Sequence, residues 1–302
     1  MKKLDSKVIN APIRWAGSKK KLLNEMLHAF ETDKDVYIEP FLGSGIVLLN
    51  VLENQMYRKY YVNDINNNLI LFYNTLKNDS AQLIRRIEIL CREYNSFSND
   101  EEKWEYFYKK RDSFNKNQIR CVTRSALFWF LMKAGYNGVY RVNSKGKFNV
   151  PCGKRDKIVC NKEKMEEISK KIQNVEFFCM DYNLFIDMIL EKEKKKSIFM
   201  YCDPPYMPET ESSQKHILYT QNGFEHERFI EYMDEKCSKE DISVMISMAE
   251  TKNVEQLYKE HVNFNKVKIE EIVRKVNPTK KMKSKEVAFV NYEVDENSMI
   301  TP

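Results

Sequence analysis

Val36-Tyr37-Ile38-Glu39-Pro40-Phe41-Leu42-Gly43-Ser44-Gly45, continued by Ile46 to Leu52 and then by Tyr60-Tyr61-Val62-Asn63-Asp64, reads as strand, glycine turn, helix and second strand. The two strands are short β-branched and aromatic runs bounded by turn residues, as buried strands are. Strands joined through a helix at this spacing run parallel, which predicts an α/β sheet. Upstream, Lys19 to Phe30 places Leu22, Leu23, Met26, Leu27 and Phe30 on one helical face. Downstream, a helix is expected from Asn66 to Lys77.

The rhythm changes between residues 78 and 174. Helical patterns over roughly 80–95, 100–116 and 119–133 lead to Val139-Tyr140-Arg141-Val142, the turn Asn143-Ser144-Lys145-Gly146, and Lys147-Phe148-Asn149-Val150. Two short alternating runs around a glycine-containing turn predict a β-hairpin, here rich in basic and amide side chains. The α/β pattern resumes at Val175-Glu176-Phe177-Phe178-Cys179. It continues through Ile198-Phe199-Met200-Tyr201-Cys202, a helix near 224–237, a strand over 242–248, and strand-like runs near 264–270 and 286–292. The expected organisation is therefore a sheet domain built from 1–77 and 175–302, with 78–174 inserted as a mainly helical unit carrying the hairpin. Asn277 to Lys285 reads as a basic loop between the last two strands, and the lysines of 192–196 as a solvated helix end.

Composition narrows the class without naming a function. The 302 residues can bury a large core. A net charge of +6, from 50 basic and 44 acidic residues, is compatible with a nucleic-acid partner but does not establish one. The seven cysteines form no C-x-x-C pair and are odd in number, which fits small core residues in a reducing compartment. Four scattered histidines give no metal-site spacing, so no metal is expected. The N-terminal Met1-Lys2-Lys3-Leu4-Asp5 lacks the apolar region of a signal peptide, and no run approaches the length of a membrane span. The expectation is a cytoplasmic protein with no membrane partner.

Three features carry chemistry. Phe41 to Gly45 follows a strand and opens a helix, so its backbone can approach a ligand and the helix end offers free N–H groups. It is neither a P-loop nor the full dinucleotide fingerprint, because position 48 is Leu; a plain tight turn is the alternative. Asp64 lies about 20 residues further on, at the end of the next strand, where a carboxylate can accept both hydroxyls of a ribose. A nucleoside-bearing cofactor without an essential pyrophosphate contact fits, and S-adenosylmethionine is the candidate; the alternative for Asp64 is a helix N-cap. Asp203-Pro204-Pro205-Tyr206 ends the 198–202 strand in a proline-fixed loop bearing one carboxylate and one ring. A flat amino-bearing group can stack on that ring while its N–H bonds are accepted by the carboxylate and a proline carbonyl.

These blocks occur in a fixed order with others: Arg14-Trp15-Ala16-Gly17-Ser18-Lys19, Glu39 to Gly45, Asn63-Asp64, Tyr136-Asn137-Gly138-Val139-Tyr140-Arg141-Val142-Asn143, Gly146 to Pro151, and Asp203 to Tyr206. The chain resembles the Dam-like (alpha-group) DNA adenine-N6 methyltransferases, and the matching blocks run from residue 12 to about 206. The resemblance implies a Rossmann-like methyltransferase sheet with an inserted target-recognition domain at 78–174. It implies cofactor roles for Trp15, Lys19, Phe41, Gly43, Gly45, Asp64, Asp181 and Asp203, and catalysis by Asp203, Pro204, Pro205 and Tyr206. It implies DNA contacts from Arg14, Tyr136, Asn137, Arg141, Asn143, Pro151 and Lys154. For Tyr136 and Asn137 the alternative is a cap on the helix ending at Gly135, and for Arg141 and Asn143 a solvated hairpin face. The basic residues Arg274, Lys275, Lys280, Lys281 and Lys283 read as phosphate contacts or as the soluble edge of a sheet.

The implied reaction moves a methyl group from S-adenosylmethionine to N6 of an adenine flipped out of duplex DNA. A GATC-like target is the family's modal site. Lys154 stands where relatives often carry arginine, and Arg155 where they carry an aromatic residue; lysine cannot reproduce arginine's bidentate guanine contact, which leaves the target open. RNA adenine or protein glutamine is the alternative substrate, although such enzymes typically carry Asn-Pro-Pro. A catalytically silent DNA-binding module is the alternative of a different class. A monomer is expected, and a cognate restriction endonuclease encoded nearby is a candidate partner.

Overall fold

The computed structural model of the chain describes residues 8–116, 119–207, 224–259, 261, 263–277 and 280–294. Among them, seven strands pair into one sheet: β1 (Val36–Glu39), β2 (Lys59–Asn63), β3 (Val175–Phe178), β4 (Ile198–Cys202), β5 (Ile242–Ala249), β6 (Asn265–Asn277) and β7 (Lys280–Val290). Their order is β3-β2-β1-β4-β5-β7-β6. β1 to β5 run parallel and β7 runs antiparallel to both β5 and β6. The strand order reverses between β1 and β4, whose register sets Ile38 beside Met200. The loops leaving their carboxyl ends, 40–45 and 203–206, therefore open into one crevice, where ligands of such sheets bind.

Both faces of the sheet are covered, so its central strands are apolar on both sides. Tyr37, Phe199 and Tyr201 pack toward α1 (Leu23–His28), α2 (Ile46–Glu53) and α3 (Asn67–Asn78). Their neighbours Val36, Ile38, Ile198, Met200 and Cys202 pack against α8 (Tyr182–Lys192) and α9 (His226–Lys239) on the opposite face. The alternation is the period-2 geometry of a strand. A short helix, α10 (Lys252–Lys259), adds Val254 and Tyr258 to that second layer.

The helical segment consists of α4 (Ser80–Ser96), α5 (Asp100–Phe114), α6 (Cys121–Ala134) and α7 (Lys162–Lys171). α6 is apolar around its circumference, with Leu127 to Met132 all buried, and it is the hub against which α3, α4 and α5 pack. One hydrophobic cluster extends from Tyr37 and Tyr73 through Phe128 to Phe107 and Leu83, so these helices share a core with one face of the sheet. α7 and α10 are absent from the sequence reading, and of α8 only the lysine-rich end is read there. α7 carries few apolar anchors, Met165 and Ile168, in the charged run Lys162 to Lys171, which masks its periodicity.

Three elements differ from expectation. The helix expected over Lys19 to Phe30 is a 3-10 turn, Lys19–Leu22, followed by the shorter α1. Residues i and i+3 eclipse in a 3-10 turn, and here that turns both Lys19 and Leu22 inward. The hairpin is reduced to single bridges, Val142 with Phe148 and Gly135 with Cys152. Two backbone bonds cross it, from Asn143 N–H to the Lys147 carbonyl (2.9 Å) and from Asn149 N–H to the Arg141 carbonyl (3.1 Å), and the Asn143 side chain closes the turn by accepting the Lys145 and Lys147 N–H groups at 3.0 Å each. The expected basic loop of 277–285 is mostly strand: β6 continues to Asn277 and β7 begins at Lys280, with Lys275 opposite Lys281. β6 is the sheet edge, while Pro278, Thr279 and the side chains of 270–284, including the expected phosphate contacts, lie outside the described residues. Among the described residues, no helix is long and apolar enough to cross a membrane.

Candidate active site

Asn63, at the end of β2, laces the neighbouring strand ends together. Its amide donates to the carbonyls of Pro40 (3.1 Å) and Met180 (3.0 Å), and its carbonyl oxygen accepts the Met180 N–H at 3.0 Å. The crevice above these ends is a cavity of about 720 Å³, within the range of small-molecule sites. Trp15, Lys19, Phe41, Gly43, Asp64, Asp181 and Asp203 all line it, with Pro204, Pro205 and Tyr206.

Gly45 does not line the cavity. It precedes α2 with φ +71°, and a Cβ there would lie 2.4 Å from Tyr73 Oη, whose hydroxyl donates to the Ser44 carbonyl. Its glycine identity serves packing behind the turn. Gly43, also left-handed at φ +51°, faces the cavity beside Trp15 and gives its N–H to Asp64 Oδ2 at 2.9 Å. The other Asp64 oxygen accepts the Asn66 N–H at 2.9 Å. Asn66, not Asp64, is the N-cap of α3, accepting from Asn68 and Leu69. Burial pushes the Asp64 carboxyl up to about 6, and the Asn66 and Gly43 N–H groups oppose that shift.

Aromatic rings form the cavity walls. Trp15 stacks on Tyr140 (centroids 6.0 Å apart) and meets Phe128 edge-on, while Phe41 packs among Tyr182, Phe224 and Phe229. Asp181 caps α8, its side chain accepting the Asn183 N–H at 3.4 Å.

The Asp-Pro-Pro-Tyr loop is held from below by Lys19, which is 2% exposed. The Lys19 ammonium donates to Asp203 Oδ1 at 2.5 Å and to Tyr206 Oη at 2.7 Å, and Glu286 Oε1 lies 3.2 Å away. Burial acts to lower the Lys19 pKa, but the Asp203 carboxylate, with Tyr206 and Glu286 behind it, outweighs burial and keeps the ammonium charged well above the usual lysine value. Glu39 is buried on the same cavity floor and accepts the Tyr37 hydroxyl at 2.8 Å. Its pKa is raised well above the carboxylate range by burial, against the Tyr37 hydrogen bond and with help from the nearby Asp203 and Asp64 charges.

The expected DNA contacts lie outside this cavity, on the rim that follows α6. Arg14 runs its side chain over Gly138, where a Cβ would come within 2.5 Å of Arg14 Cγ, and its Nη1 is buried with no hydrogen-bond partner among the described residues. Gly135 ends α6 in an extended conformation, so Tyr136 and Asn137 belong to a separate 3-10 turn rather than to the helix cap. Tyr136 is 53% exposed, Asn137 is left-handed at φ +53°, and the Tyr136 N–H donates to the Pro151 carbonyl at 3.0 Å. Arg141 is exposed and donates through Nε to Asn149 Oδ1 at 2.9 Å. Asn143 closes the hairpin turn with its side-chain carbonyl, while Pro151 and Lys154 are exposed. Val139 and Tyr140, between these residues, form part of the cavity wall, so rim and cavity share one piece of chain.

Sequence reasoning assigned no role to Glu39, Asn63, Tyr140 or Glu286. Glu39 and Asn63 sit inside recognisable blocks, and their strand-end positions were the available signal. Glu286 lies in an unremarkable strand of the C-terminal third and has no local signature.

Parallel strands that deliver a glycine turn and an Asp-Pro-Pro-Tyr loop to one crevice define the Rossmann-like methyltransferase class. The chain belongs to the D12 class N6 adenine-specific DNA methyltransferases, whose family model matches residues 15–276. It is 35% identical to the type II methyltransferase M.MjaIII of Methanocaldococcus jannaschii, over 85% of this chain and 89% of the relative. It is 31% identical to the DNA adenine methylase of Haemophilus influenzae, over 92% of both chains, and 30% identical to that of Escherichia coli K12, over 82% and 83%. Among solved structures, an rRNA methyltransferase of Streptomyces viridochromogenes aligns over 95% of this chain and 91% of its own at a TM-score of 0.37 and 10% identity, too slight a likeness to bear on the site. The family acts on adenine in DNA, and the RNA and glutamine substrates weighed from the sequence give way to it.

Proposed function

We propose that this enzyme methylates N6 of an adenine flipped out of a short, GATC-like site in duplex DNA, with S-adenosylmethionine as donor. The observation that carries the reading is Asp203, fixed by a buried lysine on a proline-stiffened loop that opens into a nucleoside-sized cavity. The lining suits that donor. Carboxylates of Asp64 and Asp181 can accept its hydroxyl and amino protons. The rings of Trp15 and Phe41 favour a cation. When bound, S-adenosylmethionine supplies a methyl group activated by its sulfonium.

The protein's part is positioning and electrostatics. The adenine N6 lone pair is delocalised into its ring and is a poor nucleophile. Hydrogen bonds from the amino group to the Asp203 carboxylate and the Pro204 carbonyl favour a more tetrahedral nitrogen with its lone pair directed outward. Asp203 need not be a strong base, because the N6 proton becomes acidic as the new bond forms. Tyr206 stacks on the flipped base, an interaction worth roughly 1–3 kcal/mol. Residues 1–77 with 175–302 serve catalysis, and 78–174 read the target through Arg141, Lys154 and the Tyr136-Asn137 turn, with Arg14 supporting them. The reading includes a cytoplasmic monomer. The type II name of one relative favours a cognate restriction endonuclease as a partner.

The test is methyl transfer from labelled S-adenosylmethionine to unmethylated genomic DNA, followed by sequencing of N6-methyladenine. Methylation confined to one short motif is expected; cofactor binding without transfer would leave the silent DNA-binding module standing.

Cofactor affinity should also depend on pH through Asp64. Its carboxyl is raised to about 6 in the free protein, whereas two ribose hydroxyls donate best to the ionised form, whose oxygens both accept with full charge. Binding must then remove a proton below that pH, so affinity falls by up to roughly ten-fold per pH unit as pH drops below about 6. Calorimetric titration between pH 5 and 8 checks this, and Asp64→Asn should flatten the profile. A wild-type profile that is flat across pH 6 would remove Asp64 from the binding reaction.

A further inference from the structure

We propose that Glu286, on β7, is a positioning residue for the catalytic loop, acting through the Tyr206 hydroxyl. The inference rests on the functional reading above and adds a residue from the part of the chain that carries no recognisable motif. Glu286 is 1% exposed, and its Oε1 accepts from Tyr206 Oη at 2.5 Å and from Ser247 Oγ at 3.3 Å. Lys19 Nζ lies 3.2 Å from the same oxygen and donates to Tyr206 Oη at 2.7 Å. Tyr206 therefore donates to Glu286 and accepts from Lys19, and its ring lies under the Lys19 ammonium, 4.7 Å from the centroid.

A buried carboxylate is costly unless paired and hydrogen-bonded, and pairing with Lys19 alone would meet that need. The tyrosine is the informative third member. Its ring sits on a loop, and Glu286 and Lys19 both hold the hydroxyl at the end of its two side-chain torsions. Glu286 is on a strand hydrogen-bonded on both sides, opposite Ala249 of β5 and Glu270 of β6, which is a rigid element of the sheet. Anchoring the hydroxyl there fixes the stacking surface before a base arrives. Preorganisation of this kind lowers the barrier rather than the affinity for cofactor. The same bond ties Tyr206 to Asp203 through Lys19, so ring and carboxylate are set as one unit.

The experiment is a double-mutant cycle on the full chain with Glu286→Gln, Tyr206→Phe and the pair. Single-turnover methyl transfer is measured on duplex DNA that the wild type methylates, alongside cofactor Kd and thermal melting. Each single variant should lower the rate by roughly 10- to 100-fold with cofactor Kd changed less than about 3-fold. The double variant should stay within about 3-fold of the worse single, because Tyr206→Phe removes the donor of the same hydrogen bond whose charged acceptor Glu286→Gln removes. Should Glu286→Gln misfold, Tyr206→Phe alone still decides, since a wild-type rate in that variant overturns the inference. Multiplying penalties, or a Kd that worsens in step with the rate, would make Glu286 a structural partner of Lys19 only. If wild-type enzyme transfers nothing to DNA the functional reading fails first; if it is active and Tyr206→Phe matches it, only this inference fails.

Discussion

Replacing Asp203 by alanine should lower methyl transfer by roughly 10³-fold or more, the upper range for removing one preorganised hydrogen-bond partner of a transition state. Cofactor affinity should change far less. Trp15, Phe41, Gly43 and Asp64 also line the cavity and do not depend on the Asp203 side chain for their contacts. The fold should survive as well, because Lys19 keeps Tyr206 at 2.7 Å and Glu286 at 3.2 Å when Asp203 is gone. Asp203→Asn restores a carbonyl acceptor without the charge, and should recover part of the rate. Single-turnover methyl transfer and cofactor titration on the same preparations separate the two effects. Unchanged turnover in the alanine variant would sink the mechanism. Loss of cofactor binding would instead show that the Lys19–Asp203 pair shapes the cofactor pocket.

The second large effect is on stability. Gly45→Ala should destabilise the protein by about 3 kcal/mol, combining a left-handed backbone with overpacking. A methyl group at position 45 would sit 2.4 Å from Tyr73 Oη and 2.9 Å from its Cζ. Tyr73 cannot yield cheaply, since it is fully buried, stacks on Phe177 and donates to the Ser44 carbonyl. Thermal melting should show a midpoint lower by roughly 5 °C. Because Gly43 and Asp64 are hydrogen-bonded within the same turn, cofactor affinity should fall too. A variant as stable as wild type would show that α3 moves aside, and that the turn is less tightly packed than its geometry implies.

Much of this enzyme is legible locally. The strands at 36–38, 60–62 and 198–202 are continuous apolar runs because both sheet faces are covered. The motifs of the site lie at strand ends because that is where a doubly wound sheet opens. The local reading failed where short-range and long-range demands disagree. By its spacing Lys19 falls on the apolar face with Leu22, Leu23 and Met26, and only a carboxylate 184 positions away makes a buried lysine tenable there. The 277–285 segment has loop composition, yet pairing with β6 makes most of it strand. Asn143 reads as a base-contacting residue and also closes its own turn.

The sequence by itself determined the α/β class, the order of the motifs and the chemistry they can perform. Those properties reside in windows of a few residues, where side-chain period, turn geometry and functional groups are directly written. Only the tertiary structure decided which groups meet: Lys19 with Asp203 across 184 positions, Tyr206 with Glu286 across 80, and Gly45 with Tyr73 behind the turn. The physical reason is strand order and register. A one-residue slip of β7 against β5 would turn Glu286 to the opposite face of the sheet, and no local pattern in the chain specifies that pairing.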